Sequence, residues 1–256
     1  MNEQSPIAMV EPLAHGLMAD FQDTTHPSTV YGMTKGTLLI DKSHIGDHDS
    51  AYGVCYDGKL EVNTGERKFT VGPGEYFSIP FVKSCLIEGV STNGKGEAKG
   101  LIVVRLGYKC LFNVGGPTEP FGRLKYIDGC SDTLLIGPPL KGDPCLNYLR
   151  FPKGINQTAH THPTIRAGVI LAGKGICKTA HGDKDLVPGS AFILYPDAIH
   201  AFSTEGTEGM SLSVFHPDTD TGPSHEDHPM LNRTIVDGVS RRNWTTSAPK
   251  TLKPEY

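Results

Sequence analysis

No apolar run in this 256-residue chain approaches the roughly 20 residues that a membrane-spanning helix needs. The opening stretch, MNEQSPIAMVEPLAHG, has neither the basic start nor the apolar centre of a secretory signal. A cytoplasmic protein without a membrane partner is therefore expected. Charge of one sign is scarce: 24 Lys and Arg stand against 28 Asp and Glu, a net charge of -4. That balance gives no electrostatic reason to expect nucleic acid or an anionic surface as partner. The six cysteines, Cys55, Cys85, Cys110, Cys130, Cys145 and Cys177, form no C-x-x-C pair. In a chain long enough to bury a real core they read as free buried thiols rather than staples. A P-loop, a Rossmann glycine set, G-x-S-x-G and H-E-x-x-H are all missing, which removes the nucleotide-binding and hydrolase classes those motifs serve. Convincing long amphipathic helices are missing as well; a short helix near residues 8–21 is the one candidate.

What the chain does have is turns and short strands. Its 30 glycines and 19 prolines punctuate apolar and alternating runs such as TLLID, YGVCY, YFSIP, LIVVRL, AGVILAG, AFILY and SLSVFH, the pattern of an all-β protein. The sequence also repeats itself. Val54 and Val169, Gly58 and Gly173, Pro73 and Pro188, Gly74 and Gly189, and Phe77 and Phe192 are each 115 residues apart. Five coincidences at one offset imply two copies of one β unit. The expected organisation is an N-terminal arm (1–28), a first barrel (29–110), a linker (111–131), a second barrel (132–216) and a polar C-terminal arm or tail (217–256).

The second copy carries the chemistry. His160 and His162 sit one residue apart, so on a strand both side chains share a face. His200 follows the turn-rich PGSAFILYPDA on a strand placed to lie beside them. Three neutral imidazoles on neighbouring strands suit one divalent first-row metal ion. Of the remaining histidines, His216, His225 and His228 read as solvated surface residues, and His181 as part of a hairpin turn.

These residues resemble the cupin superfamily. Its first motif, G-x5-H-x-H-x3,4-E-x6-G, is matched by Gly154, His160, His162 and Gly173. Its second, G-x5-P-x-G-x2-H-x3-N, is matched by Gly189 and His200, with Tyr195 in the proline slot and Asp197 in the glycine slot. The resemblance implies two tandem jelly-roll barrels, a bicupin. Two departures shape the reading. Arg166 stands where the family has a glutamate ligand, and arginine cannot ligate, so the site resembles the three-histidine variant. In the first copy Ile45, Asp47, Ala51 and Cys85 replace His160, His162, Arg166 and His200, so that barrel is expected to be a metal-free structural partner.

Among cupins, a three-histidine site implies a non-haem Fe(II) dioxygenase for a small anionic substrate, although manganese, nickel, copper and zinc also accept three imidazoles. Arg166 would clamp a substrate carboxylate by a bidentate contact. Tyr195, Asn147, Gln157 and Phe202 are candidates for the cavity wall, and Tyr195 or Asp197 for moving a proton. The alternatives are a metal-dependent isomerase or lyase using the ion as Lewis acid, and a non-catalytic small-molecule-binding cupin. Edge strands on two barrels leave a homodimer open.

Overall fold

A computed structural model describes residues 7–90 and 97–243. The stretches 1–6, 91–96 and 244–256, which belong to the expected N-terminal arm, first barrel and C-terminal arm, lie outside the described residues. The first half of the chain runs β1 Ala8–Pro12, β2 Gly16–Phe21, β3 Ser28–Met33, β4 Thr37–Asp41, β5 Asp49–Asp57 and β6 Lys59–Asn63. It continues with β7 Lys68–Val71, β8 Tyr76–Phe81, β9 Ser84–Val90, β10 Lys99–Arg105 and β11 Asn113–Gly115. The second half holds β12 Leu124–Lys125, β13 Ser131–Ile136, β14 Cys145–Phe151, β15 Arg166–Gly173 and β16 Gly175–Thr179. After these come β17 Lys184–Leu186, β18 Ser190–Leu194, β19 His200–Ser203 and β20 Met210–His216, then a small hairpin of β21 Ile235–Val236 and β22 Val239–Ser240.

The strands form two sheet pairs with one plan. A six-stranded sheet, β11-β8-β5-β10-β3-β2, packs on a four-stranded sheet, β4-β9-β6-β7. A seven-stranded sheet, β1-β18-β15-β20-β14-β13-β12, packs on a three-stranded one, β17-β16-β19. The central order β8-β5-β10-β3 recurs as β18-β15-β20-β14, which is the internal repeat expressed as topology. The two large sheets then stack back to back. Ile102 and Val104 of β10 face the first interior, while Leu101 and Val103 face the layer between the sheets. Likewise Leu212 and Val214 of β20 point into the second interior and Phe215 into the shared layer. Both faces of the central strands are thus buried, which is why these runs are apolar throughout rather than alternating.

The 115-residue coincidences have physical causes. Gly58 and Gly173 adopt φ +72° and +76°, and a Cβ on Gly173 would meet the Gly209 carbonyl oxygen at 2.0 Å. The phenylalanines explain a further matched pair. Phe77 pairs in register with Gly53, and Phe192 with Gly168; each ring lies where a Cβ on the glycine would be, at 2.3 and 2.2 Å. A ring covering a glycine on the next strand pins the register of that pair.

Residues 8–21, where a helix was a candidate, are the strands β1 and β2. β1 joins the edge of the second half's sheet, with Met9 opposite Ile193 and Val10 opposite Phe192. The linker region is built in too, with β11 on β8 and β12 on β13. An edge strand across the fold satisfies backbone groups that a free segment would leave to water.

Candidate metal centre

The chain from Asn156 to His162 is not a continuous strand. It touches β19 through isolated bridges, Asn156 to Ser203 and His160 to His200. At the second bridge each backbone N–H donates to the other residue's carbonyl at 3.0 Å. Asp197, in a left-handed turn at φ +59°, donates its N–H to the His162 carbonyl at 2.8 Å. These bonds fix both histidine segments side by side.

The three rings gather inside the second barrel. Ring centroids lie 4.5 Å apart for His160 and His200, 5.0 Å for His160 and His162, and 5.2 Å for His162 and His200. One nitrogen from each falls within 4.8 Å of the others. His160 Nδ1 lies 2.8 Å from the Thr158 carbonyl, and His200 Nδ1 lies 2.9 Å from that of Ala198. A carbonyl only accepts, so Nδ1 carries the proton in both rings and Nε2 keeps its lone pair for an ion. Burial, followed by the positive field of Arg166, pushes the His162 pKa down to about 3. Burial likewise takes His200 down to about 4, the Ala198 carbonyl opposing it. Both rings therefore stay neutral and able to ligate far below neutral pH.

The centre has an inner and an outer space. The inner cavity, about 30 Å³, is bounded by the three histidines, Gln157, Phe202 and their apolar neighbours. That is room enough for an ion with a small ligand such as water. An outer cavity of about 500 Å³ opens beside it between β13, β14 and residues 218–221, and the two spaces share His162, Arg166 and His216.

Arg166 begins β15 and is 8 % exposed. Its Nη1 donates to the carbonyl of Ile165 at 3.0 Å and to the Thr164 hydroxyl, and lies 3.6 Å from Asp218 Oδ1. The Thr164 hydroxyl in turn donates to Asp218 at 2.5 Å. One edge of the guanidinium is thus already held by the protein, while its buried Nε has no partner. Asp218 falls in the stretch read from sequence as a C-terminal arm, and the structure makes it part of the site.

The wall candidates divide. Gln157 and Phe202 line the inner cavity, and Gln157 Oε1 accepts the Phe202 N–H at 3.1 Å. Asn147 lines the outer cavity alone, donating from Nδ2 to Asp132 Oδ2 at 2.7 Å. Burial raises the pKa of the Asp132 carboxyl against the opposing pull of that bond. Tyr195 is elsewhere. Leu194 faces the histidines, so its chain neighbour turns outward and packs edge-on against Phe21, 6.0 Å between centroids, in the layer between the sheets. It is not in reach of a proton in the cavity. Asp197 is exposed and serves through its backbone N–H.

His216 corrects a second expectation. It is no surface residue: its ring lies 6.4 Å from that of His162, and burial lowers its pKa well below the ordinary imidazole value. The signal was the alternation Met210, Leu212, Val214, His216 along β20, which continues the inward face. Tyr126, which also lines the inner cavity, comes from the linker region and carries no such periodic signal.

A family model described as an AraC-like ligand binding domain matches residues 152–221. No curated protein matches the sequence. Solved structures do. A cupin 2 conserved barrel domain protein from Leptotrichia buccalis is 14% identical with a TM-score of 0.53, over 85% of this chain and 92% of that one. The fold is that of the cupins. Protein Ylba from E. coli is 13% identical with a TM-score of 0.57, over 86% and 94% of the two chains. Salicylate 1,2-dioxygenase from Pseudaminobacter salicylatoxidans is 8% identical with a TM-score of 0.59, over 84% and 85%. Among the described residues no helix is long and apolar enough to cross a membrane.

Proposed function

We propose that this bicupin holds one divalent metal ion, Fe(II), on His160, His162 and His200 of its C-terminal barrel and acts as a non-haem dioxygenase on a small anionic substrate. The observation that carries the reading is the convergence of three imidazoles, two with Nδ1 tied to a backbone carbonyl and Nε2 left open. Such an ion, when bound, supplies the Lewis acidity and electron chemistry that no side chain here provides. The chain's own residues do the rest. Thr158 and Ala198 hold the ligand rings in one tautomer and orientation. Phe202, clamped by Gln157, walls the inner cavity against water. Arg166 keeps a positive charge at the boundary of the two cavities, which suits an anionic group lodged in the outer one.

The fold shared with salicylate 1,2-dioxygenase supports an oxygenase. The AraC-like ligand binding domain match supports a second reading, a cupin that binds a small molecule without turning it over. Elemental analysis with an oxygen electrode separates them. The first expects about one iron per chain and oxygen uptake with a thiol, a β-diketone or a hydroxybenzoate. Iron-loaded protein that binds such a compound yet consumes no oxygen belongs to the second. Turnover that persists under strict anaerobiosis moves the reaction to a Lewis-acid isomerase or lyase.

A further inference from the structure

Among the described residues, His162, Arg166 and His216 alone line both the inner and the outer cavity. Two of the three already have tasks. His162 belongs to the three-imidazole cluster, and Arg166 Nη1 is held by Thr164, Ile165 and Asp218. His216 has none. It lies outside the cluster of possible ligands, and no hydrogen bond to a described residue holds its ring. An interior imidazole without a partner calls for an explanation, because both ring nitrogens are polar. Neither of them is among the buried atoms that lack a partner. The ring is therefore not sealed into packed side chains but opens onto the space that it lines.

Strand register puts it there. His216 ends β20 and stands opposite Cys145 of β14. On the other side β20 pairs with β15 at Phe215 and Ala167, which sets His216 beside Arg166, and Arg166 in turn stands opposite Leu194 of β18. Leu194, Arg166, His216 and Cys145 thus make one inward row across four strands, from the inner cavity to the outer. Leu194 is apolar, and the Cys145 thiol is spent on Asn147 Oδ1 at 3.1 Å. The middle of the row is left with a fixed cation next to an imidazole that has nothing to bind. An imidazole offers at least one N–H in either protonation state. Beside a guanidinium that N–H favours an oxyanion, which accepts from both groups.

We propose that His216 is a ligand-contacting residue of the outer cavity, donating a ring N–H to the carboxylate of a small organic acid whose charge is met by Arg166. This inference rests on the small anionic substrate proposed above, not on the ion, and it names the second donor of the grip. Two donors on adjacent strands are answered by a group with two acceptor oxygens. A carboxylic acid is therefore preferred to a thiol or a neutral carbonyl compound, which brings one acceptor.

The test is a titration of zinc-loaded protein, zinc being spectroscopically silent, with formate, acetate and benzoate. It is followed by the ring-nitrogen NMR signals of the histidines, with metal content measured on every sample. The His216 signals, assigned by their loss in His216→Gln, should move as acid is added. Read from the neighbouring histidines, the half-saturating concentration should rise about 10-fold in His216→Phe. It should rise less in His216→Gln, whose amide N–H replaces the lost donor, and both variants should keep their metal. His216 signals that stay fixed while their neighbours move, no response to any of the three acids, or equal affinity in the parent and His216→Phe overturns the proposal. So does loss of metal from both variants, which would place His216 among the ion's own ligands. Parent protein that takes up no zinc removes the metal reading instead, and the same titration on that sample still decides this one.

Discussion

The two halves of the molecule share strand order, turn glycines and ring-over-glycine pairs, yet only one has a chemical interior. At the positions of His162 and His200 the first half has Asp47, which is exposed, and Cys85, which is fully buried among Leu38, Ile40, Val62 and Ile87. Burial drives the Cys85 thiol up to about 12, so it is a small apolar filler and no ligand. At the position of Arg166 the first half has Ala51, also part of its apolar core. The frame is therefore neutral with respect to chemistry. A few inward positions near one end decide whether a barrel is packed solid or kept open and polar.

The sharpest way to break the contrast is His162→Ala, which should abolish stoichiometric metal while circular dichroism still reports the β fold. Retained metal would take His162 out of the ligand set. The converse experiment is Cys85→His in the first half. It places an imidazole in a filled apolar core without a hydrogen-bond partner, and is expected to cost about 3 kcal/mol in urea unfolding without gaining any metal. A second ion bound by that variant would show that the first interior is more open than its packing implies.

A smaller effect separates the halves by pH in metal-free protein. His162, His200 and His216 all titrate below their ordinary value when folded. Below about 6.5 the unfolded chain takes up protons that the folded one refuses, so stability is greatest above that pH and falls as pH drops toward about 4. The urea midpoint should decline between pH 7 and pH 5, and should decline less in a His216→Phe variant. A flat midpoint in the parent protein would mean that those rings are open to solvent.

Local pattern carried much of this to the surface of the sequence. The alternating runs and the 115-residue echo gave all-β architecture and repetition, and the spacing of His160, His162 and His200 gave the cluster. What stayed hidden depends on distant partners or on one residue of register. β1 was ambiguous because its pairing strand β18 lies far along the chain. Tyr195 was placed on the wrong face because a strand reverses its side chains at every step. Asp132 and Asp218 reach the outer cavity from segments flanking the motifs, where no periodicity marks them, and His216 sat at a strand end among acidic loop residues that disguised it.

The lodging of β1 beside β18 has a consequence for how the molecule is made and handled. During synthesis β1 is made long before β18 and must wait for the chain between them before its partner exists. Until then β1 is an unpaired strand open to stray pairing with other chains. Deleting β1, or fusing a bulky tag against it, bares the β18 edge of the histidine-bearing half and invites aggregation there.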